Sequence, residues 1–168
     1  MPRISDLIVV AIVAIAGGVG ACIDLRCRRV PNVVTVGTAT LGVVCAALHA
    51  TGLSVGASIA GLAVGLLLML PSHVIGATGA GDVKLFAAMG TLLGPYSIGF
   101  AFLYTALAGG LLALAVAARR GRLLVTVGQT AALVGTGGAN AVEIERQANN
   151  RFAYAPAIAI GALVAALY

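Results

Sequence analysis

Followed for apolar and polar positions alone, the chain is a series of hydrophobic runs separated by short polar or glycine-containing breaks. Residues 7–23 supply 17 positions without a charge, 33–50 supply 18 and 53–70 supply 18, with Thr51-Gly52 as a tight turn between the second and third. Residues 83–93 give 11 positions before Gly94-Pro95, 96–118 give 23 and 153–168 give 16. A hydrocarbon core takes roughly 20 apolar residues as helix, about 17 to 25 being usual. The pattern therefore predicts an all-α, polytopic membrane protein of about six transmembrane helices, with residues 1–168 forming a single membrane domain. The fourth run is short. Pro95 breaks its helix, so either that helix begins before Asp82 or it ends below the far surface. Both put Asp82 close to the membrane boundary or slightly inside it. The one long connection is 119–151. Its first part, 123–134, is moderately apolar, contains Gly128 and Gln129 and is too short to span. Its second part, 135–150, is polar and holds Glu143 and Glu145. A surface-lying segment followed by a cytoplasmic loop is the expected form.

Composition strengthens this picture. The chain is 61% hydrophobic and 9% charged, with a mean hydropathy of +1.09. A soluble domain carries about 25% charged residues. With 23 glycines and no tryptophan, the helices are expected to pack through small residues, as membrane helices do. Val19-Gly20-Ala21-Cys22 loosely resembles a lipoprotein cleavage box. The segment before it carries both Arg3 and Asp6 rather than a clearly positive stretch, and cleavage there would leave the product membrane-embedded, so the run is kept as a span. Cys22, Cys27 and Cys45 have neither CxxC spacing nor an even count. They are read as unpaired thiols.

The net charge of +5 does not mark a nucleic-acid partner, because the cations sit in short loops beside apolar runs. Six spans put Arg26, Arg28, Arg29, Lys84, Arg119, Arg120, Arg122, Arg146 and Arg151 on one side, nine of the ten, with Arg3 opposite. The positive-inside rule makes that side cytoplasmic. Both termini then lie outside, as do the uncharged turns Thr51-Gly52 and Gly94-Pro95.

Of the five acidic residues, Asp6, Glu143 and Glu145 fit solvated roles. Asp24 and Asp82 adjoin hydrophobic spans, where an unpaired carboxylate costs roughly 3 kcal/mol or more at the bilayer centre. Two complete spans separate them, so both lie at the same face. Facing carboxylates suit hydrolysis: one, ionised, takes a proton from water, and the other, protonated, polarises the scissile carbonyl. Such chemistry calls for no metal, nucleotide or other cofactor. Gly79 and Gly81 would let a substrate backbone approach and let the chain take a positive φ before the helix starts. The plainer alternatives are a helix-end Asp24 paired with its neighbouring arginines and an Asp82 that is a helix N-cap. His49 and His73 lack metal-ligand spacing and suit packing or boundary roles. Lys84 is either a snorkelling anchor or, the favoured reading, an electrostatic neighbour of Asp82. Tyr154 and Tyr168 fit an interfacial aromatic role.

Asp24-Leu-Arg-Cys-Arg-Arg-Val-Pro31-Asn32 and Gly79-Ala-Gly81-Asp82-Val-Lys84-Leu together resemble the type IV prepilin peptidases, which carry an aspartate seven residues before a proline and then a Gly-x-Gly-Asp motif with a nearby lysine. The arginine-rich first motif and the closing Phe152-Ala153-Tyr154-Ala155-Pro156-Ala157-Ile158-Ala159 resemble the short, Flp/Tad-pilus branch. The resemblance covers residues 7 to about 93 and the last span, and leaves 119–151 outside it. It implies a membrane aspartyl endopeptidase of the inner (cytoplasmic) membrane that cuts the leader from prepilins at the cytoplasmic face. Asp24 and Asp82 take the catalytic positions, with Pro31, Asn32, Gly79, Gly81 and Lys84 binding substrate or supporting the site. Implied partners are a prepilin with its leader and hydrophobic helix, the lipid bilayer and the pilus assembly machinery. Longer members add an N-methyltransferase region with paired CxxC motifs; none occurs here, so methylation is not expected. The rival readings are a small ion- or proton-coupled transporter using the two acids, a non-catalytic component of a pilus or secretion machine, and a related peptidase acting on preflagellin.

Overall fold

The computed structural model describes residues 4–27, 29–74, 78–119 and 154–167. Among these residues there are five helices and no strands: α1 (Ile4–Cys27), α2 (Asn32–Ala47), α3 (Val55–Val74), α4 (Ala80–Arg119) and α5 (Ala155–Leu167). Three are long and apolar enough to cross a membrane, over Ser5–Cys27, Val55–Val74 and Ala80–Ala115; α2 and α5 are shorter apolar helices. The expected segments 123–134 and 135–150 lie outside the described residues. So do Arg3, Arg28, Arg120, Arg122, Arg146, Arg151, Glu143, Glu145 and Tyr168.

Helix boundaries differ from the hydrophobic runs in instructive ways. α1 continues four residues past Ile23 to Cys27, which puts Asp24 within the helix instead of at its end. α2 stops at Ala47, so the expected tight turn at Thr51-Gly52 is a longer link, 48–54, shaped by positive φ at His49 (55°) and Gly52 (67°). Apolar character does not locate these ends, because the linking residues Leu48, Ala50 and Leu53 are themselves hydrophobic.

α4 is continuous in sequence but doubled in space. Gly94 has φ 76° and ψ 173°, a conformation that a side chain resists, and Pro95 follows with no amide hydrogen to continue the first helix. Phe86 and Phe102 stand eight residues to either side of Gly94. A straight helix would separate them by about 24 Å, yet their rings pack edge to face with centroids 6.2 Å apart. The two arms, 80–93 and 95–119, therefore run antiparallel.

The first arm is the centre of the molecule. Residues 85–94 are all buried. Leu85 and Met89 pack on Gly20 and Gly17 of α1, Thr91 on Gly42 of α2, and Ala87 and Gly90 on Gly65 and Gly61 of α3. α5 covers the second arm, with Gly161 against Thr105, and reaches α1 through Ala159 against Gly17. The short fourth run now has a physical account. Its 14 residues give a helix of about 21 Å, less than the roughly 30 Å of a hydrocarbon core, but protein buries it from residue 85 to residue 93.

On α2 and α3 the inward positions are mostly small and the large apolar side chains mostly face outward. α2 buries Thr35, Thr38, Gly42 and Ala46, and α3 buries Ser58, Gly61, Gly65 and Met69. Val33, Val36, Leu41, Ile59, Leu67 and Leu70 are exposed. In water this arrangement wastes apolar burial. In lipid, where tails solvate leucine as well as another helix does, close backbone packing through small residues is what holds helices together.

Contacts fix which ends lie together. Val30 meets Gly81, Lys84 bonds Asn32, Ser72 bonds Thr78 and Ala155 bonds Asp24, so these residues share one end. The link 48–54 lies at the other, where the Leu53 side chain is 3.1 Å from the position of a Cβ on Gly94. The exposed cations Arg26, Arg29, Lys84 and Arg119 all belong to the first end.

Candidate active site

Asp24 lies in the last turn of α1, where the negative helix terminus disfavours an anion. Helix stability does not account for it. The residue is 6% exposed, and its Oδ2 accepts a hydrogen bond from the Ala155 amide at 3.4 Å. Arg26, two positions on, is exposed and leaves the helix on a different face.

Asp82 is the third residue of α4, and Gly79 occupies the N-cap position: its carbonyl accepts from the Asp82 and Val83 amides at 3.0 and 3.3 Å. The Asp82 Oδ2 in turn accepts the Gly79 N–H at 3.2 Å. This is the acidic half of a capping box, so Asp82 is not the N-cap itself. The bond orients the carboxylate and leaves Oδ1 buried with no hydrogen-bond partner. Leaving a buried acceptor unpaired costs about 1–3 kcal/mol, so this oxygen is a candidate to receive a hydrogen bond from water or substrate. Asp82 is 7% exposed and lies within electrostatic reach of Asp24. Two buried carboxylates from separate helices thus lie at one end of the bundle, each within electrostatic reach of the other.

The flanking glycines act through closeness. Among the described glycines positive φ occurs at Gly52 and Gly94, not at Gly79 or Gly81, which corrects the expectation that these two relieve a left-handed backbone. A Cβ on Gly81 would stand 3.2 Å from the Val30 Cβ and 3.3 Å from its nitrogen, and one on Gly79 3.2 Å from Asp82 Oδ2. Absent side chains therefore let the link between α1 and α2 lie against the start of α4. Pro31, extended at φ −64° and ψ 143°, begins α2, and its carbonyl accepts from Val34 and Thr35. Asn32 Oδ1 accepts from Lys84 Nζ at 3.1 Å. The exposed lysine thus ties the start of α4, which carries Asp82, to the start of α2.

Two further residues contribute at this end of the bundle. His73 Nδ1 lies 2.9 Å from the Thr78 carbonyl, and the Ser72 and Thr78 hydroxyls are 2.8 Å apart, so the end of α3 holds the residue before Gly79. Tyr154, read as an interfacial aromatic, is half-buried, lies on Gly109 and feels the charge of Asp82. The hint in the sequence was the closing motif around Tyr154-Ala155-Pro156. Distance along the chain hid its partners.

Apolar long helices with an outward-facing hydrophobic surface define this as a helical membrane protein. A model of the type IV leader peptidase family matches residues 8–114, well over half of the chain, and the chain belongs to that family. It is accordingly a peptidase. The matched stretch includes Asp24, Pro31, Asn32, Gly79, Gly81, Asp82 and Lys84, and leaves Tyr154 outside. No curated protein and no solved structure gives a match.

Proposed function

We propose that this peptidase is an aspartyl endopeptidase whose catalytic pair is Asp24 and Asp82, and that its substrates are prepilins of the Flp/Tad or a related type IV class. In this reading one domain of six spans, with α4 contributing two, sits in the inner membrane with both termini outside and the aspartate end toward the cytoplasm. Pilin methylation is not part of its activity. The cation-rich aspartate end supports the orientation through the positive-inside rule. The observation that carries the catalytic reading is that two buried carboxylates, from α1 and α4, lie at one end of the bundle within electrostatic reach of each other, one of them with an unpartnered oxygen.

The chemistry follows from the pair. The ionised carboxylate takes a proton from water as the water oxygen attacks the scissile carbonyl carbon. The protonated carboxyl hydrogen-bonds the carbonyl oxygen, which gains the displaced electron pair. Collapse of the tetrahedral species breaks the C–N bond, and the acquired proton passes to the leaving nitrogen. The prepilin's hydrophobic helix would lie in lipid beside the bundle, its leader junction at the aspartate end, before transfer to the assembly machinery.

Asp24→Asn and Asp82→Asn test this with a purified prepilin in detergent. Asparagine still accepts the Ala155 and Gly79 amides, so both variants should insert and accumulate. Cleavage should fall about 10³-fold or more, as befits loss of a general acid or base together with its partner's proton. Near-wild-type maturation by either variant would sink the two-aspartate mechanism.

A further inference from the structure

We propose that the Tyr154 hydroxyl is a third catalytic group of this site, donating a hydrogen bond to the scissile carbonyl oxygen as that oxygen becomes an oxyanion. The proposal rests on the aspartyl peptidase reading above. Tyr154 is held as the N-cap of α5: its carbonyl accepts from the Ala157 and Ile158 amides at 3.0 and 3.2 Å. The next residue, Ala155, is fully buried and donates to Asp24. One backbone turn thus delivers an amide to one aspartate and a phenol to the neighbourhood of the other.

Gly109 sets the height of the ring. A Cβ there would stand 2.6 Å from Tyr154 Cε2 and 3.0 Å from both Cζ and the hydroxyl oxygen, so the hydroxyl end of the ring rests on this glycine. Gly109 is 15 residues beyond Gly94 on the second arm, and Asp82 is 12 before it on the first. The antiparallel arms place them about 22 and 18 Å from the bend, within one helical turn of the same depth. No hydrogen bond joins the Tyr154 hydroxyl to a described residue, and Asp82 Oδ1 is a buried acceptor without one. A donor and an acceptor thus lie at about one depth. A peptide carbonyl under attack by water would take a hydrogen bond from the first, and the attacking water would give one to the second.

In the reaction Tyr154 keeps its proton. The water oxygen forms the new bond to carbon, the carbonyl electron pair moves to oxygen, and the phenol strengthens its hydrogen bond as charge develops. A preorganised donor of this kind contributes about 10²–10³ in rate when aimed at an oxyanion.

The test is Tyr154→Phe in the full-length protein, assayed with the same purified prepilin beside Asp82→Asn. Phenylalanine retains the ring on Gly109, so thermal stability should be unchanged. The expected result is a kcat about 10²-fold lower, KM within twofold, and the same pH limits as wild type, because the aspartate pair is intact. Gly109→Ala, whose methyl displaces the ring, should lose a comparable amount in kcat. Wild-type kcat in Tyr154→Phe overturns the proposal, as does a change confined to KM. A fall accompanied by moved pH limits also overturns it, since Tyr154 would then act through Asp82. If Asp82→Asn is silent while Tyr154→Phe is fully active, Tyr154 alone is dismissed and the peptidase reading stands. If Asp82→Asn cleaves, or if wild type does not, the aspartyl reading itself fails.

Discussion

Gly61 of α3 and Gly90 of the central arm meet backbone to backbone, and substituting either by alanine probes what holds Asp82 in position. A Cβ on Gly61 would collide with the Gly90 carbonyl and lie 2.9 Å from the carbonyl carbons of both Gly90 and Gly94. A Cβ on Gly90 would collide with the Gly61 carbonyl and lie 2.6 Å from its carbon. No rotamer relieves contacts made by backbone. Non-bonded carbon atoms pack at about 3.5 Å or more, so the helices would have to separate by about 1 Å. Overpacking of this kind costs about 1–3 kcal/mol. Alanine recovers roughly 0.5–1 kcal/mol of helix preference over glycine, and the net expectation is a loss of about 1 kcal/mol. Gly18→Ala and Gly99→Ala, which meet nothing within 4 Å, are the controls and should be neutral or slightly stabilising. The assay is unfolding in mixed micelles titrated with a denaturing detergent, followed by circular dichroism because the chain has no tryptophan. Prepilin cleavage by the folded fraction should also fall, up to about 10²-fold for a 1 Å misplacement. Gly61→Ala as stable and active as Gly18→Ala would refute the packing argument.

Three further outcomes are expected. In a background lacking Cys22, Cys27 and Cys45, single cysteines at Ala50 and within 135–150 should react with an impermeant thiol reagent from opposite membrane faces; reaction from the same face would break the six-span topology. Cleavage should withstand strong chelators and thiol blocking, since no three His, Cys, Asp or Glu side chains group as metal ligands among the described residues; loss restored by one metal would redirect attention to His49, His73 and the cysteines. Lys84→Met and Asn32→Ala should each lower thermal stability slightly, by about 0.5–1.5 kcal/mol, with the double variant no worse than either single; additive losses would mean that the bond between them is not what matters.

The candidate site was partly legible in the chain because charge is rare there. Against so apolar a background Asp24 and Asp82 stand out, and two runs between them predict that both share a face; in the structure they lie at one end of the bundle. The rest depended on distances that no local pattern encodes. Asp82 as the inner member of a capping box and the grip of Lys84 on Asn32 follow from how α1, α2 and α4 pack. So does the arrival of Ala155 at Asp24 from 131 residues away. Gly79 and Gly81 are legible as special positions but their purpose is not, because glycine in a sequence signals freedom of φ and close approach alike. Only the neighbouring Val30 separates the two.

What the sequence alone determined is the helical class, the order of the apolar segments and the two carboxylates, Asp24 and Asp82, that adjoin apolar spans. Those properties are set by the solvent: lipid demands internally bonded backbone and tolerates few charges. Tertiary structure decided which helix is central. The fourth run looked too short to span, and its hydrophobicity did not distinguish it from helices that face lipid. Its place follows instead from Gly17, Gly20, Gly42, Gly61 and Gly65 on three different helices, each lacking the side chain that would exclude it. In lipid, hydrophobicity gives a helix no preference between a neighbour and the bilayer, so the absence of side chains at matching heights decides what lies beside what.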